Sequence, residues 1–230
     1  TRGSFGGILN FRRQVLTPAV DNLDALAFST ATEVNTIQTT GIDATGTRGT
    51  NLFDPNVETL GAAGFTLLIN NPARIAAAGL ARVTADPDNT GSAKLDYSDI
   101  VAGSAIPDFT LTYTDAAGYT INGGAVVPDA SGSFDFGGVT YTVTGAPEDG
   151  DSFIVGQNLN SLGNNKSILA MSRLQTKEVL DGDRSLGDGY LDLVGEIGNA
   201  STLAKISQDA LQVVYDQAVE AKDKVSGVSL

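Results

Sequence analysis

The chain has 230 residues, 41% of them hydrophobic, and a formal net charge of −13. This length and hydrophobic content exclude a disordered protein and suit one or two domains, each with its own core. The 14 basic residues are scattered rather than clustered, which argues against binding to nucleic acid or to an anionic membrane. With no cysteine and no histidine, the chain lacks disulfides, thiolate chemistry and the commonest general base.

The N-terminal stretch from Phe5 to about Gln38 has apolar residues at helical spacing. This pattern predicts one long helical segment with an apolar stripe. Pro18 is expected to kink the helix or to begin a new one, with Thr17 as its cap. The stripe consists of Leu9, Leu16, Leu23, Thr30 and Ile37, together with Val20, Ala27 and Val34.

The middle of the chain, from about residue 65 to residue 155, has the period of β-strands instead. In "DFTLTYTD" and "GGVTYTVTG", apolar or aromatic residues alternate with threonines, which predicts half-buried strands. The Gly-Gly pair in "FDFGGVTY" predicts a hairpin. "PEDGDSFIV" predicts a turn followed by another strand.

The C-terminal part returns to helical spacing. A helix from about Lys166 to Leu180 is predicted, then a second one of nearly forty residues from about Leu186 to Val225, with Gly227 just past its end. Most of its seam is expected to form core within the chain, and the remainder to pack on neighbouring subunits. The seam consists of Tyr190, Ile197, Ala204, Leu211, Ala218 and Val225, with Leu193, Ala200, Ser207, Val214 and Ala221.

These three zones predict an α+β fold in which long helices from both ends of the chain pair with each other. Residues 1–52 and 160–230 are interpreted as one discontinuous, coiled-coil-like helical domain. Residues 53–159 are interpreted as an inserted domain rich in antiparallel β-strands.

No motif for catalysis, cofactor binding or metal binding stands out, so we predict no enzyme, no cofactor and no metal site. Three acidic loops, which begin at Asp43, Asp86 and Asp181, superficially resemble calcium loops. Arg48 stands where the first loop would need glycine, and Tyr97 where the second would need glutamate. We therefore interpret these loops as solvated turns. A carboxylate pair of the glycosidase type stays an open alternative.

Several stretches occur in a characteristic order: "GGILNFRRQVLTPAVDNLDALAF", "GIDATGTRGTNLFD", "NNPARIAAAG", "GAPEDGDSFIV", "GDGYLDLVGEIGNAS" and "DKVSGVSL". In this order they resemble the flagellar hook-associated protein 1 (FlgK) family. The resemblance extends over most of the chain. Its N-terminal part rests on Gly7, Leu9, Phe11, Arg12, Leu16, Pro18, Leu23, Leu26, Ala27, Asn35, Gly41, Asp43, Gly46, Gly49 and Phe53.

The resemblance implies a non-enzymatic structural protein of the bacterial flagellum, located outside the cell after passage through the flagellar type III export apparatus. The implied partners are like subunits, the hook protein, the second junction protein and an export chaperone. The resemblance also implies an internal fragment that lacks the N-terminal half and the last C-terminal helix, with Ser229 as the N-cap of that helix. The alternatives are a flagellin or other axial-filament protein and, in another class, an adhesin or carbohydrate-binding module on the β-rich domain.

Overall fold

The computed structural model describes residues 4–101, 103–159 and 164–227 and confirms the predicted α+β class. The helices are α1 (Ser4–Phe11), α2 (Thr17–Thr39), α3 (Val57–Leu60), α4 (Lys166–Arg173) and α5 (Leu186–Ser226). The strands are β1 (Gly41–Ile42), β2 (Ala78–Gly79), β3 (Ala81–Ala85), β4 (Lys94–Ile100), β5 (Phe109–Thr114), β6 (Gly118–Ile121), β7 (Gly124–Val126), β8 (Ser133–Phe136), β9 (Val139–Thr144), β10 (Ser152–Gln157), β11 (Glu178–Leu180) and β12 (Arg184–Ser185).

The N-terminal helical segment is continuous, but a π-turn separates α1 from α2, which begins at Thr17 with Pro18 in its first turn. The prediction that Pro18 begins a new α-helix is therefore confirmed to within one residue. The predicted Thr17 cap is wrong, because Leu16 is the N-cap and makes no side-chain cap hydrogen bond. Residues 12–16 form a π-turn between α1 and α2, and the Thr17 N–H donates to the Arg12 carbonyl. Proline removes one N–H and its ring clashes with the carbonyl four residues earlier. A π-turn bonds residues five apart and is wider than an α-turn. We infer that this wider turn accommodates Pro18 inside the helix.

The strands form two main sheets, and all of their pairings are antiparallel. One sheet has the order β3-β10-β5-β6-β7, and the other has the order β4-β9-β8. Phe109, Leu111 and Phe153 from the first sheet are buried against Tyr141 and Val139 from the second. The rings of Phe109 and Tyr141 meet edge to face, with centroids 5.1 Å apart. The inner faces of two sheets therefore form the core of the β-rich region.

The strands predicted from alternation are present. "FTLTYT" is β5, "SFIVGQ" is β10, and "VTYTVT" is β9. Gly137 and Gly138 connect β8 to β9 with φ angles of 61° and 78°. Both angles are positive, as a two-residue type I′ hairpin requires, so the predicted hairpin is confirmed.

The helix predicted from Lys166 to Leu180 is half as long as expected. It ends at Arg173, and the last three predicted helical residues form strand β11, which pairs with β12. Asp181 and Gly182 make the turn between them, with φ angles of 55° and 86°. The hairpin turns Leu180 inwards, where it is buried. We infer that this Asp-Gly turn and the burial of Leu180 outweigh the helical pattern.

Helix α5 has 41 residues, close to the length predicted. It begins with a capping box in which Ser185 Oγ accepts from the Asp188 N–H at 3.1 Å and the Asp188 carboxylate accepts from Ser185 N–H at 3.1 Å. Two N–H groups at the helix start are thereby satisfied. Gly227 follows the helix as predicted, whereas Ser229 lies outside the described residues.

Two asparagines and a lysine connect the β-rich region to the helices. Asn158 Nδ2 donates to the Gly79 carbonyl at 3.0 Å, and Asn164 Nδ2 donates to the Ala81 carbonyl at 3.0 Å. Lys166, at the start of α4, forms an ion pair with Asp96 and lies over the Tyr97 ring. The segments that enter and leave the β-rich region are thus held together by these hydrogen bonds and this ion pair.

Candidate assembly surface

Helices α2 and α5 pack side by side in opposite directions. Gly189 of α5 lies against Leu26 of α2, and seven residues further along α5, Glu196 Oε2 accepts a 2.9 Å hydrogen bond from Asn22 Nδ2. Leu193 lies between these two contacts in the sequence of α5 and is buried. The pairing of helices from the two ends of the chain agrees with the predicted fold class.

Beyond residue 200, however, helix α5 is exposed on all sides. Every residue from Ser201 to Lys224 is exposed, and at about 1.5 Å per residue this part of the helix is about 36 Å long. The expectation that most of the seam is core within the chain is therefore wrong. The side chain of Val225 lies outside those described, but Tyr190, Leu211 and Val214 expose 58%, 68% and 60% of their surface.

The exposed part of α5 also has apolar residues away from the predicted seam. Leu203, Ile206, Ala210 and Val213 follow one another at spacings of three and four residues, so they form a second stripe along the helix. Leu203, Ile206 and Val213 each expose more than half of their surface. A helix with two apolar stripes has more apolar surface than one neighbour can cover.

A third exposed apolar row lies at the other end of the chain. Ile8, Phe11 and Leu16 expose 66%, 50% and 49% of their surface. Phe11 and Leu16 are five residues apart, and the π-turn between them places residues at that spacing on one side of the helix. Arg12 and Arg13 lie in the same π-turn and are exposed.

A groove of about 300 Å³ lies between α2 and the segment that leads into α3. We call it the α2 groove. Val57 is buried at its side, whereas the other residues named here are exposed or half-buried, so the groove is open to solvent. Its main lining residues are Phe28, Thr32 and Thr36 from α2, with Pro55, Val57 and Glu58 opposite.

The three loops that superficially resemble calcium loops are turns held by their own hydrogen bonds and ion pairs. Asp43 is buried; its Oδ1 accepts from the Thr45 and Thr47 N–H groups at 2.9 and 3.0 Å, and its Oδ2 lies 2.9 Å from the Arg74 guanidinium. Asp86 Oδ1 accepts from the N–H two residues later, and Asp181 forms an ion pair with Arg184. Within the described ranges, no group of three or more acidic residues is placed to hold a metal ion.

The electrostatics of Asp43 follow from these contacts. Burial by itself raises the pKa of a carboxyl group. Here hydrogen bonds from Thr45 and Thr47 and the nearby Arg74 cation outweigh burial and hold the pKa of Asp43 below its usual value. Asp43 therefore connects the loop to Arg74 as an ionised group, with its oxygen atoms already occupied.

Deep in the β-rich region, burial raises the pKa of Tyr141 to about 12. The side chain stays neutral at physiological pH and contributes to the packing of the core.

Among the helices that the structure describes, none is both long enough and apolar enough to cross a membrane.

The comparisons with known proteins agree with the resemblance that the sequence predicted. Residues 1–53 match the family model of the flagellar hook-associated protein FlgK helical domain. Over 99% of its length the chain is 26% identical to flagellar hook-associated protein 1 of Salmonella typhimurium and 27% identical to that of Escherichia coli K12. The chain is similar to FlgK. The resemblance predicted from the sequence is thus confirmed, and the chain spans 44% and 43% of the length of these two FlgK relatives.

The fold is shared with a solved FlgK structure. The flagellar hook junction protein FlgK from Burkholderia pseudomallei superposes with a TM-score of 0.77 over 96% of this chain and 62% of that one, at 22% identity. Sequence reasoning nevertheless missed the α2 groove and the second stripe of α5. The spacing of Leu203, Ile206, Ala210 and Val213 was a readable signal for the stripe. The groove forms because residues 51–58 fold back on α2, and no local sequence pattern predicts that fold-back.

Proposed function

We propose that the chain is part of a structural component of the bacterial flagellum at the hook–filament junction, which acts by subunit packing rather than by catalysis. The observation that carries this proposal is the exposed length of α5 with its two apolar stripes. A solvated helix of this kind leaves a large apolar surface uncovered. Packing against further protein in an assembly covers that surface.

The similarity to FlgK supports the same proposal for location and partners. By resemblance, the protein leaves the cell through the flagellar export apparatus and becomes part of the flagellum. Its proposed partners are like subunits, the hook protein, the second junction protein and an export chaperone. We also propose that residues 1–52 and 160–230 form the helical domain and that residues 53–159 form the inserted β-rich domain.

The β-rich region has the character of a solvated projection. Between residues 81 and 159 the sequence has eleven acidic residues and two basic ones, and such an excess of like charge favours solubility over close association. The rings of Phe153 and Tyr141 lie inside the sandwich, and those of Tyr113 and Tyr119 are half-buried. This arrangement favours the junction protein over the alternative of a carbohydrate-binding module, which needs exposed rings for stacking.

The test replaces apolar residues that are exposed in the chain itself. A variant with Leu203→Gln, Ile206→Gln and Leu211→Gln, expressed in the source bacterium, is expected to be absent from purified flagella and to leave the cells non-motile. The same variant should unfold at an unchanged or slightly higher temperature, because these side chains are solvated in the isolated chain.

The matched control is Gln208→Ala with Gln212→Ala, which changes two polar residues of the same exposed part of α5. It should assemble and support swimming as the unmodified protein does. Normal motility and normal flagellar content in the triple variant would contradict the proposed function.

A further inference from the structure

A second surface of the molecule, distinct from α5, has the composition of a binding groove. The α2 groove combines the apolar side chains of Phe28 and Val57 with the carboxylate of Glu58. Asp21 and Asp24 lie seven and four residues before Phe28, on the same side of α2. Lys and Arg do not occur among the residues that line the groove in the described part of the chain. A complementary occupant is therefore both apolar and basic.

One exposed segment of the chain has this composition. Arg12 and Arg13 are the one place in the sequence where two basic residues are adjacent. In the described ranges neither arginine forms an ion pair with a carboxylate. Arg12 is four residues after Ile8 and four before Leu16, so it lies on their side of the helix, and Arg13 flanks that side. Ile8, Phe11 and Leu16 are at least about half exposed. We call these five residues the arginine row.

The dimensions of the two surfaces are also compatible. From Ile8 to Leu16 the arginine row spans nine residues, about 12 Å of helix. From Phe28 to Thr39 the α2 side of the groove spans twelve residues, about 17 Å. The row therefore fits within the length of the groove.

The arginine row cannot reach the groove of its own chain. Both lie along one continuous helical segment, and Phe28 comes sixteen residues after Arg12, a separation of about 24 Å along the helix. A helix without a break does not fold back on itself, so the occupant comes from another molecule.

We propose that the arginine row of one copy of this chain docks into the α2 groove of a second copy. This inference rests on the proposed function, because it names one of the contacts between like subunits. The two patches differ, so the contact is head-to-tail: each copy offers one row and one groove. Contacts of this kind close into rings or extend into filaments, according to the rotation between neighbours.

The chain has no cysteine, which makes disulfide trapping a direct test. In the double variant Arg13→Cys/Glu58→Cys, a bond within one chain is excluded. Glu58 lines the groove together with Phe28, Phe28 lies about 22 Å of helix beyond Arg13, and a disulfide needs Cα atoms within about 7 Å. Oxidation of the concentrated protein is expected to give a ladder of covalent oligomers on non-reducing gels. Each single variant can give dimers at most.

The control pair Arg13→Cys/Lys94→Cys places the second thiol at the exposed first residue of strand β4 and measures random collision. A ladder from the Arg13/Glu58 pair that clearly exceeds this background supports the contact. Yields equal to the control overturn it.

Charge reversal gives an independent measurement. Arg12→Glu/Arg13→Glu and Asp21→Arg/Glu58→Arg should each weaken self-association in low salt by about tenfold in sedimentation equilibrium, because attraction becomes repulsion. An equimolar mixture of the two variants restores opposite charges across every contact and should regain the unmodified level. Failure of the mixture to recover would refute the proposal.

The contact and the proposed function fail in different ways. If the Arg12→Glu/Arg13→Glu variant reaches purified flagella in normal amounts, the contact is wrong and the proposed function stands. If the unmodified protein is itself absent from purified flagella, the proposed function is wrong.

Discussion

Two loops of this protein have almost the same sequence and the same hydrogen bonds but very different surroundings. "DATGT" occupies residues 43–47 and "DASGS" occupies residues 129–133. In both, the aspartate Oδ1 accepts from two N–H groups and one hydroxyl, at 2.6–3.0 Å in the first loop and 2.7–2.9 Å in the second. In both, the glycine N–H donates to the aspartate carbonyl.

The difference lies outside the five residues. Asp43 is fully buried and reaches Arg74, whereas Asp129 lies in an exposed loop before strand β8. The comparison teaches that a short sequence can specify a turn completely, while the packing around it decides what the turn contributes to stability. Four measurements can test this conclusion.

The largest expected effect is from removal of the two carboxylates. Asp43→Ala should lower the free energy of unfolding by about 3 kcal/mol, because it leaves the part-buried N–H groups of Thr45 and Thr47 and the partly buried Arg74 without their acceptor. Asp129→Ala should shift the urea midpoint slightly, because water replaces the lost acceptor. Equal losses in the two variants would show that burial does not decide the contribution.

The glycines should behave alike in both loops. Gly46 and Gly132 have φ angles of 76° and 81°, and an added Cβ would lie 2.5 Å from the Leu159 carbonyl oxygen and 2.4 Å from the Val143 carbonyl oxygen. Each Gly→Ala variant should therefore lose about 2 kcal/mol in urea unfolding. A much smaller loss at one of them would mean that its backbone can rearrange.

The pH dependence of stability should show a smaller effect, in the same direction, for both carboxylates. For Asp129, hydrogen bonds from Ser131 and Ser133 lower the pKa; for Asp43, burial opposes the shift, but hydrogen bonds and Arg74 still lower the pKa. Since each folded-state pKa lies below the ordinary value of 3.8, the unfolded chain binds protons more readily. The stabilisation is present above that value and is lost as the pH falls through the folded-state pKa.

The measurement is urea unfolding between about pH 3 and pH 6. Asp43→Asn and Asp129→Asn should each make the acid decline in stability shallower than in the unmodified protein. A decline that is steeper in either variant would contradict the direction of that pKa shift.

The smallest effect is expected from an exchange of hydroxyl side chains between the loops. Thr45→Ser/Thr47→Ser and Ser131→Thr/Ser133→Thr both keep the donors, so each should change the free energy of unfolding by less than about 0.5 kcal/mol. A larger change at Ser133 would be attributed to its 2.8 Å hydrogen bond with Thr142 on strand β9.

Much of the fold could be predicted from local patterns. The alternation in "FTLTYT", the Gly-Gly hairpin and the length of α5 reflect forces that act between near neighbours in the chain. The errors arose where a local pattern had two solutions. A threonine before a proline can cap a helix or lie within its first turn, as Thr17 does, and a helical pattern after Arg173 was overridden by an Asp-Gly hairpin.

The candidate surfaces were harder to predict than the fold. An apolar stripe on a helix has the same spacing whether it meets its own chain or another molecule, so the sequence could not say how much of α5 is exposed. The α2 groove, likewise, exists because residues from distant parts of the sequence are brought together.

Local sequence accounts for the long helices, most of the strands and the Gly-Gly hairpin, because these depend on residues within a few positions of one another. The tertiary structure alone decided that Asp43 is buried and Asp129 is not, and that Leu193 is covered while Leu211 is exposed. The burial of a side chain depends on which residues, distant in the sequence, pack against it. No local pattern carries that information.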